Sequence, residues 1–266
     1  MGVYLIVTGG KIVDFTIPIR LIVASYFLAL ATYLYNDITD YQTDVVNNRN
    51  TIYSLENTRQ KITKYYTIVF FLVSTLLAFS INLPTGIASL VFSSLAILYS
   101  HPRIHLKNMF GIKTAVTGAG AFIASMMGCL SSGGFSYLGL MASLIAFFFY
   151  FILGPLGDID DLKGDKEAGR RTFPIVLGIK KSFFVMTAAT FVISSIFLIS
   201  NAFLGINMIG LGLGVFVSIF MLIKIFRISK NYSTKLELNK CRRSIRYCIF
   251  ACQISLLLGS LSVVMI

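Results

Sequence analysis

Charge is scarce in this chain. Asp, Glu, Lys and Arg make up 13% of its 266 residues, well under the ~25% usual for soluble domains. That shortage excludes an ordinary water-soluble fold. The four cysteines, Cys129, Cys241, Cys248 and Cys252, contain no C-x-x-C pair, which gives no support for a disulfide framework. Cys129, Cys248 and Cys252 read as small apolar helix residues and Cys241 as a lone loop thiol. The first residues lack the basic start and small-residue cleavage site of a secretory signal, so none is expected.

What is abundant is apolar side chain, at 56% of the sequence with a mean hydropathy of +0.80. Runs of about 20 apolar residues recur, the length that crosses a bilayer as a helix. They predict an all-α, polytopic membrane bundle with eight full spans, at about 17–36, 65–81, 83–100, 112–130, 137–156, 183–203, 206–226 and 247–266. At this length residues 1–266 are expected to form one domain. The formal charge of +12 suggests polyanions, but its placement argues for topology. All but Lys11 and Arg20 of the 23 Lys and Arg fall in four alternate loops and their helix edges. The positive-inside rule makes those loops cytoplasmic and puts the C-terminus outside. The basic excess then serves orientation and contact with anionic lipid, and nucleic acid is not an expected partner.

Two stretches on the basic side share the pattern D-x-x-D-x-x-x-D. One holds Asp37, Asp40 and Asp44 directly below the first span; the other holds Asp158, Asp161 and Asp165. On an α-helix, positions i, i+3 and i+7 lie within an arc of roughly 60°. Each motif therefore aims three carboxylates one way. Such a face repels itself unless a cation joins it. Ionisable groups at a membrane edge are functional candidates by default. Mg²⁺ fits, since it takes hard oxygen ligands and is usually held by a few carboxylates with substrate phosphates. Asn36 can join through its amide oxygen. Lys107, Arg49, Lys166, Arg170 and Arg171 are the basic residues placed to grip a diphosphate.

Asn36-Asp37-x-x-Asp40-x-x-x-Asp44 resembles the first signature of the UbiA superfamily of intramembrane prenyltransferases. The run from Asp158 to Pro174, with Gly164-Asp165 and Gly169-Arg170-Arg171-Thr172-Phe173-Pro174, is similar to that family's second aspartate-rich motif and its G-x-x-T-x-P tail. Tyr99-Ser100 followed by Leu106-Lys107 looks like the loop between them. The resemblance implies nine helices around a central cavity and Mg²⁺-dependent transfer of a polyprenyl group from its diphosphate to a lipophilic acceptor. Carried over by position, Asn36, Asp37, Asp40 and Asp44 would hold metal on one side and Asp158, Asp161 and Asp165 on the other. Lys107 would bind diphosphate, and Asp40, Asp161 and Lys107 would carry the catalysis.

The chain departs from the family in two places. After the first motif the family usually reads N-R-P-x-R-P-L-x-x-G, whereas here Thr51 stands where its second arginine falls, leaving Arg49 as the substitute. Met1–Thr8 matches only the outer end of the family's first helix, at most ~12 Å long. The tail around Arg170 looks most like archaeal members that alkylate geranylgeranylglycerol phosphate in ether-lipid synthesis. An aromatic quinone or chlorophyll-type precursor is the alternative acceptor. A divalent-cation transporter is the alternative of another class, disfavoured because transporters hold their acids near the bilayer midplane. A soluble-type prenyl synthase is excluded by the spans and by the lack of D-D-x-x-D.

Three lesser features carry expectations too. Gly210, Gly212 and Gly214 predict close helix packing. Phe147–Phe149 and Phe151 are read as lipid- or core-facing, and Asp160 as solvated.

Overall fold

A computed structural model describes residues 1–12, 14–46, 57–101, 103–104, 106–232 and 234–261, with the helix backbone alone at 41–46 and 57–60. The long helices are α2 (Thr16–Val46), α3 (Asn57–Phe79), α4 (Leu83–Ser100), α5 (Ile112–Leu130), α6 (Tyr137–Asp160), α9 (Ile179–Leu204), α10 (Met208–Lys230) and α11 (Lys235–Ser260). Short helices α1 (Gly2–Val7), α7 (Leu162–Glu167) and α8 (Phe173–Val176) fill the gaps, and Leu106–Asn108 form a 3₁₀ turn. Among the described residues there is no strand.

Among the described residues seven helices, α2 to α6, α9 and α10, are long and apolar enough to cross a membrane. The eighth expected span, 247–266, falls on α11, whose first three turns carry Lys235, Glu237, Lys240, Arg242, Arg243 and Arg246, so its uncharged part begins at Tyr247; residues 262–266 lie outside the described residues. The basic stretch read as a loop is therefore largely helical, and Cys241 is a buried helix residue rather than a loop thiol. Only 28–44% of each spanning window is buried within the protein. Leu72, Leu76, Phe184, Phe191, Phe203 and Phe216 point outward, which a lipid solvent accommodates and water does not.

The chain's punctuation sets the helix ends. Asn82 caps α4 by accepting from the Thr85 N–H at 2.9 Å, and Asn207 caps α10 through Gly210. Gly205 ends α9 in the left-handed conformation, φ +69°. Gly210 is needed for contact: a Cβ there would lie 2.5 Å from the Gly259 Cα of α11, and one at Gly214 would strike the Phe197 ring. Gly210 and Gly214 are thus packing positions, as their sequence implies, whereas Gly212 is exposed and a Cβ there would meet nothing.

Consecutive helices pack as antiparallel neighbours, and α11 returns against α6 and α1. The core has two parts. One joins α5, α6, α9, α10 and α11 around Phe149, Ile152, Met186 and Phe197; the other joins α2 and α3 around Leu21, Leu28 and Phe71. The short α1 belongs to both, with Val3 and Ile6 in the first and Tyr4 in the second. The chain's start is thus a buried element of the bundle.

Candidate functional site

Two adjoining cavities lie among α2, α4, α5 and α6. The inner one, about 380 Å³, is lined mainly by Ala29, Thr32, Phe92, Leu95, Ala96, Val116, Gly120, Ala121 and Ala124. The outer one, about 540 Å³, is lined by charge: Asp40, Lys107, Lys113, Asp158, Asp161, Arg170, Arg242 and Arg246. Tyr33, Asn36, Tyr99, Thr117 and Tyr150 border both. A polar chamber thus opens into an apolar one across a collar of three tyrosines.

The first motif rides a helix with nothing to interrupt it. α2 contains no glycine, and its one proline, Pro18, sits in the first turn where no backbone N–H is required. Helical geometry therefore continues past the apolar run to Val46 and carries Asn36 and Asp40 to the cavity wall. Asp37 is half-buried and not among the lining residues. Asp44 lies on the same helix, its side chain outside the described residues, and Arg49 falls outside them altogether.

The second motif does not stay on one helix. Pro155 within α6 removes an amide donor, and Gly154 and Gly157 flank it. α6 ends at Asp161, whose φ of −94° and ψ of 10° leave the helical region, and α7 restarts beyond it. The expected single acidic face is therefore split. Asp158 and Asp161 line the cavity, while Asp165 is fully buried behind it.

The carboxylates meet cations supplied by the chain. Lys107 Nζ lies 2.6 Å from Asp40 Oδ1 and donates to Thr39 Oγ1 at 3.1 Å. Lys113 Nζ lies 2.5 Å from Asp158 Oδ1 and 3.5 Å from Asp165 Oδ2. Arg170 joins the motifs, donating from Nη2 to Asp40 Oδ1 at 2.7 Å and from Nη1 to Asp165 Oδ1 at 3.1 Å. Two carboxylates 125 positions apart in sequence therefore share one guanidinium. Burial works against the charge on Arg170, and Asp40 and Asp165 outweigh it, raising its pKa above the ordinary value.

Local chain geometry explains how Arg170 gets there. Gly169, at φ +67°, closes α7 in a Schellman turn in which the Arg170 N–H donates to the Asp165 carbonyl at 2.8 Å. That turn folds the arginine back onto Asp165. The Arg171 N–H donates to the Asn108 carbonyl at 3.2 Å, and Phe110 stacks edge-on against Phe173. These contacts hold the Arg170 strand beside the Lys107 turn, so both cations reach Asp40.

The other named residues divide. The Asn36 Oδ1 atom accepts from Ser100 Oγ at 3.0 Å, so its amide oxygen is occupied by α4. Lys166 and Arg171 are exposed and do not line the cavity. Asp160, read as solvated, is only half-exposed, with its Oδ1 buried and without a hydrogen bond. Phe149 is core, and Phe147, Phe148 and Phe151 stack on one another outside both cavities. The sequence reading missed Lys113, Arg242 and Arg246 as site residues. Lys113 carried a usable signal, a charge one residue inside an apolar span. The two arginines stand at i and i+4 of α11, hidden in a basic run that topology already accounted for.

Among the described residues, no three acidic, His or Cys side chains are disposed to hold a metal unaided. Even so, Asp158 Oδ2 and Asp165 Oδ2 are buried without a hydrogen bond, Lys113 Nζ standing 3.5 Å from the latter. Buried anionic oxygens short of donors in this way have room for a further ligand. They fit a hard cation that takes the rest of its oxygens from a bound phosphate and water.

Known proteins resemble this chain in sequence and fold. A digeranylgeranylglyceryl phosphate synthase of Pyrococcus furiosus is 26% identical over 228 residues, covering 85% of this chain and 79% of that protein. The protein of the same name from Methanosphaera stadtmanae is 30% identical over 147 residues, and the match spans 55% of this chain and about half, 53%, of that relative. A solved structure concerned with digeranylgeranylglyceryl phosphate synthase superposes with a TM-score of 0.72 at 17% identity, covering 98% of this chain and 91% of that one. A UbiA homolog from Archaeoglobus fulgidus bound to DMAPP and Mg²⁺ gives 0.69 at 17% identity, covering 100% and 94%. At those identities the structures speak for the fold. The sequence profile of the UbiA prenyltransferase family matches residues 1–242, and this integral, multi-pass membrane chain belongs to that family.

Proposed function

We propose that this prenyltransferase moves a polyprenyl group, of geranylgeranyl type, from its diphosphate to the hydroxyl of a glycerol-phosphate ether lipid. The Asp40–Arg170–Asp165 bridge carries the reading, because it brings both acidic motifs to one polar chamber that continues into an apolar one. The diphosphate head belongs in the first and the isoprenoid tail in the second. Lys107, Lys113 and Arg170 are the donors for the phosphate oxygens. Asp40, Asp158, Asp161 and Asp165 would hold Mg²⁺, Asp37 and Asp44 being the remaining acids of the first motif. Bound there, Mg²⁺ supplies Lewis-acid neutralisation of the departing diphosphate.

At the tyrosine collar the C1–O bond to the diphosphate breaks and a C1–O bond to the acceptor forms, the acceptor hydroxyl's proton passing to an oxygen of the departing diphosphate in the polar chamber. Tyr33, Tyr99 and Tyr150 put aromatic rings beside the developing allylic cation, and the apolar chamber keeps water from it. The shared name of the curated relatives supports the glycerol-phosphate acceptor. The charged end of the bundle faces the cytoplasm and the C-terminus lies outside, a reading supported by the basic loops. The test is to incubate the purified protein with labelled geranylgeranyl diphosphate, Mg²⁺ and a panel of lipid and aromatic acceptors. Labelled ether lipid that EDTA abolishes is expected. Product only with an aromatic acceptor, or divalent-cation flux with no product, overturns the reading.

A further inference from the structure

We infer that Arg242 and Arg246 form a second anion subsite, which holds a phosphate monoester carried by the acceptor lipid. This rests on the transfer reading above and adds the group by which the acceptor is recognised. Both arginines come from α11, across the polar chamber from α2, and neither belongs to the aspartate motifs or to the Lys107, Lys113 and Arg170 set. Residues 242, 246, 249 and 250 fall within an arc of about 100° on a helix. All four line the chamber. One stripe of α11 thus presents two guanidiniums and then, one turn on, Ile249 and Phe250. That sequence of charge and grease suits a molecule with an anionic head and an apolar chain.

The site is built on a close approach. Gly157 has no side chain, and the Arg242 guanidinium lies over it, with Nη2 3.2 Å from where a Cβ would stand. A Cβ at 157 would crowd the Arg242 guanidinium, which must shift by a few tenths of an ångström to accept it. Arg246 lies one turn along, exposed, with no carboxylate partner among the described residues. Among those residues the chamber is lined by five cations and three carboxylates. Asp40 is met by Lys107 and Arg170, and Asp158 by Lys113, and over the whole lining the cations outnumber the carboxylates by two. Guanidinium forks match phosphate oxygens two at a time.

The test uses the full chain in phosphatidylcholine nanodiscs. Binding of geranylgeranylglycerol phosphate and of its dephosphorylated alcohol is measured calorimetrically for wild type, Arg242→Gln, Arg246→Gln and the double variant. Wild type is expected to prefer the phosphate by about tenfold or more, the scale of charge-assisted hydrogen bonds. Each single variant loses part of that preference and the double variant loses all of it. Affinity for a non-hydrolysable geranylgeranyl diphosphate analogue stays within about twofold. Equimolar inorganic phosphate, or phosphatidylglycerol in the disc, should not displace the ligand; displacement by either overturns recognition of the acceptor's own phosphate. A preference that survives in the folded double variant overturns the subsite. An equal loss of affinity for the diphosphate analogue assigns the arginines to the donor and also overturns it. Because Arg246 is exposed, its variant reports even if Arg242→Gln folds poorly. Wild type that transfers prenyl to neither lipid refutes the acceptor reading itself, and the inference falls with it; transfer with unchanged preference refutes the inference alone.

Discussion

The two aspartate motifs have the same spacing and opposite construction. The first lies on α2, a helix without glycine between Thr16 and Val46, and stays regular. The second follows Gly154, Pro155 and Gly157, loses helical geometry at Asp161 and resumes in α7. The buried acids differ in what meets them. Asp40 relies wholly on cations from distant chain, Lys107 and Arg170. Asp165 is met by Arg170 five residues on, folded back by the Gly169 turn, and by Lys113. Identical letters thus specify a stripe on one unbroken helix in the first case and a bent, cross-linked corner in the other. What differs is the punctuation around them.

The largest expected effect of breaking that corner is on stability. Asp165→Ala strips a carboxylate with no solvent exposure from Lys113 and Arg170. Removing one member of a buried ion pair costs about 3–5 kcal/mol. Thermal unfolding in detergent should show that loss together with loss of transfer. The folded-state pKa of Arg170 lies above its ordinary value. The stability it lends is therefore present at all lower pH and fades only as pH rises through that raised value, so the wild-type–variant gap should be flat from about pH 6 to about pH 9.

Asp40→Asn is the contrasting case. Arg170 keeps Asp165, so unfolding should shift less than for Asp165→Ala, while prenyl transfer falls at least about 100-fold, the usual scale for removing one preorganised charge contact. Radiolabelled product per unit time, set beside the melting curve, separates the two. Equal damage to stability and turnover in both variants would erase the distinction between the motifs.

Much of this was legible in the residues. Apolar runs predicted the helices, though α2 runs on to Val46, α3 begins at Asn57 and α11 at Lys235, well outside the apolar runs, and the acid spacing led to the end of the bundle where the charged cavity lies. The split of the second motif was less visible, although Gly154, Pro155 and Gly157 were its cause in plain sight. The role of Arg170 was half-read: its type and place marked it as a phosphate donor, but bridging Asp40 to Asp165 depends on the Arg171–Asn108 and Phe110–Phe173 contacts. Those join segments some 60 residues apart, and no local pattern announces them. Lys113, Arg242 and Arg246 were masked because the positive-inside bias accounted for every basic residue that stood outside the aspartate motifs and the Lys107 loop.

Gly169→Ala probes the hinge of the second motif. A Cβ at φ +67° meets no neighbour, so the cost is conformational, roughly 1–2 kcal/mol. Because the turn orients Arg170, transfer should drop several-fold with the KM for the prenyl diphosphate rising more than turnover falls. An alanine that leaves both unchanged would mean the Arg170 bridge needs no Schellman turn.

The smallest effect belongs to the far end of the first motif's helix. Asp14 Oδ1 accepts from the Thr16 N–H at 2.8 Å and Oδ2 from the Thr16 hydroxyl at 2.9 Å, at the start of α2. Those hydrogen bonds, the backbone one foremost, hold its carboxyl below the ordinary 3.8. A depressed folded pKa lends stability above the unfolded value and loses it as pH falls through the folded one. The gap between wild type and Asp14→Asn should accordingly be small, constant above pH 3.8, and closing below it. Since α2 is regular along its length, loosening this end should leave transfer at Asp40, more than six turns away, unchanged. A fall in turnover with Asp14→Asn would show that α2 transmits strain from end to end, and the first motif would then depend on its helix as closely as the second depends on its turn.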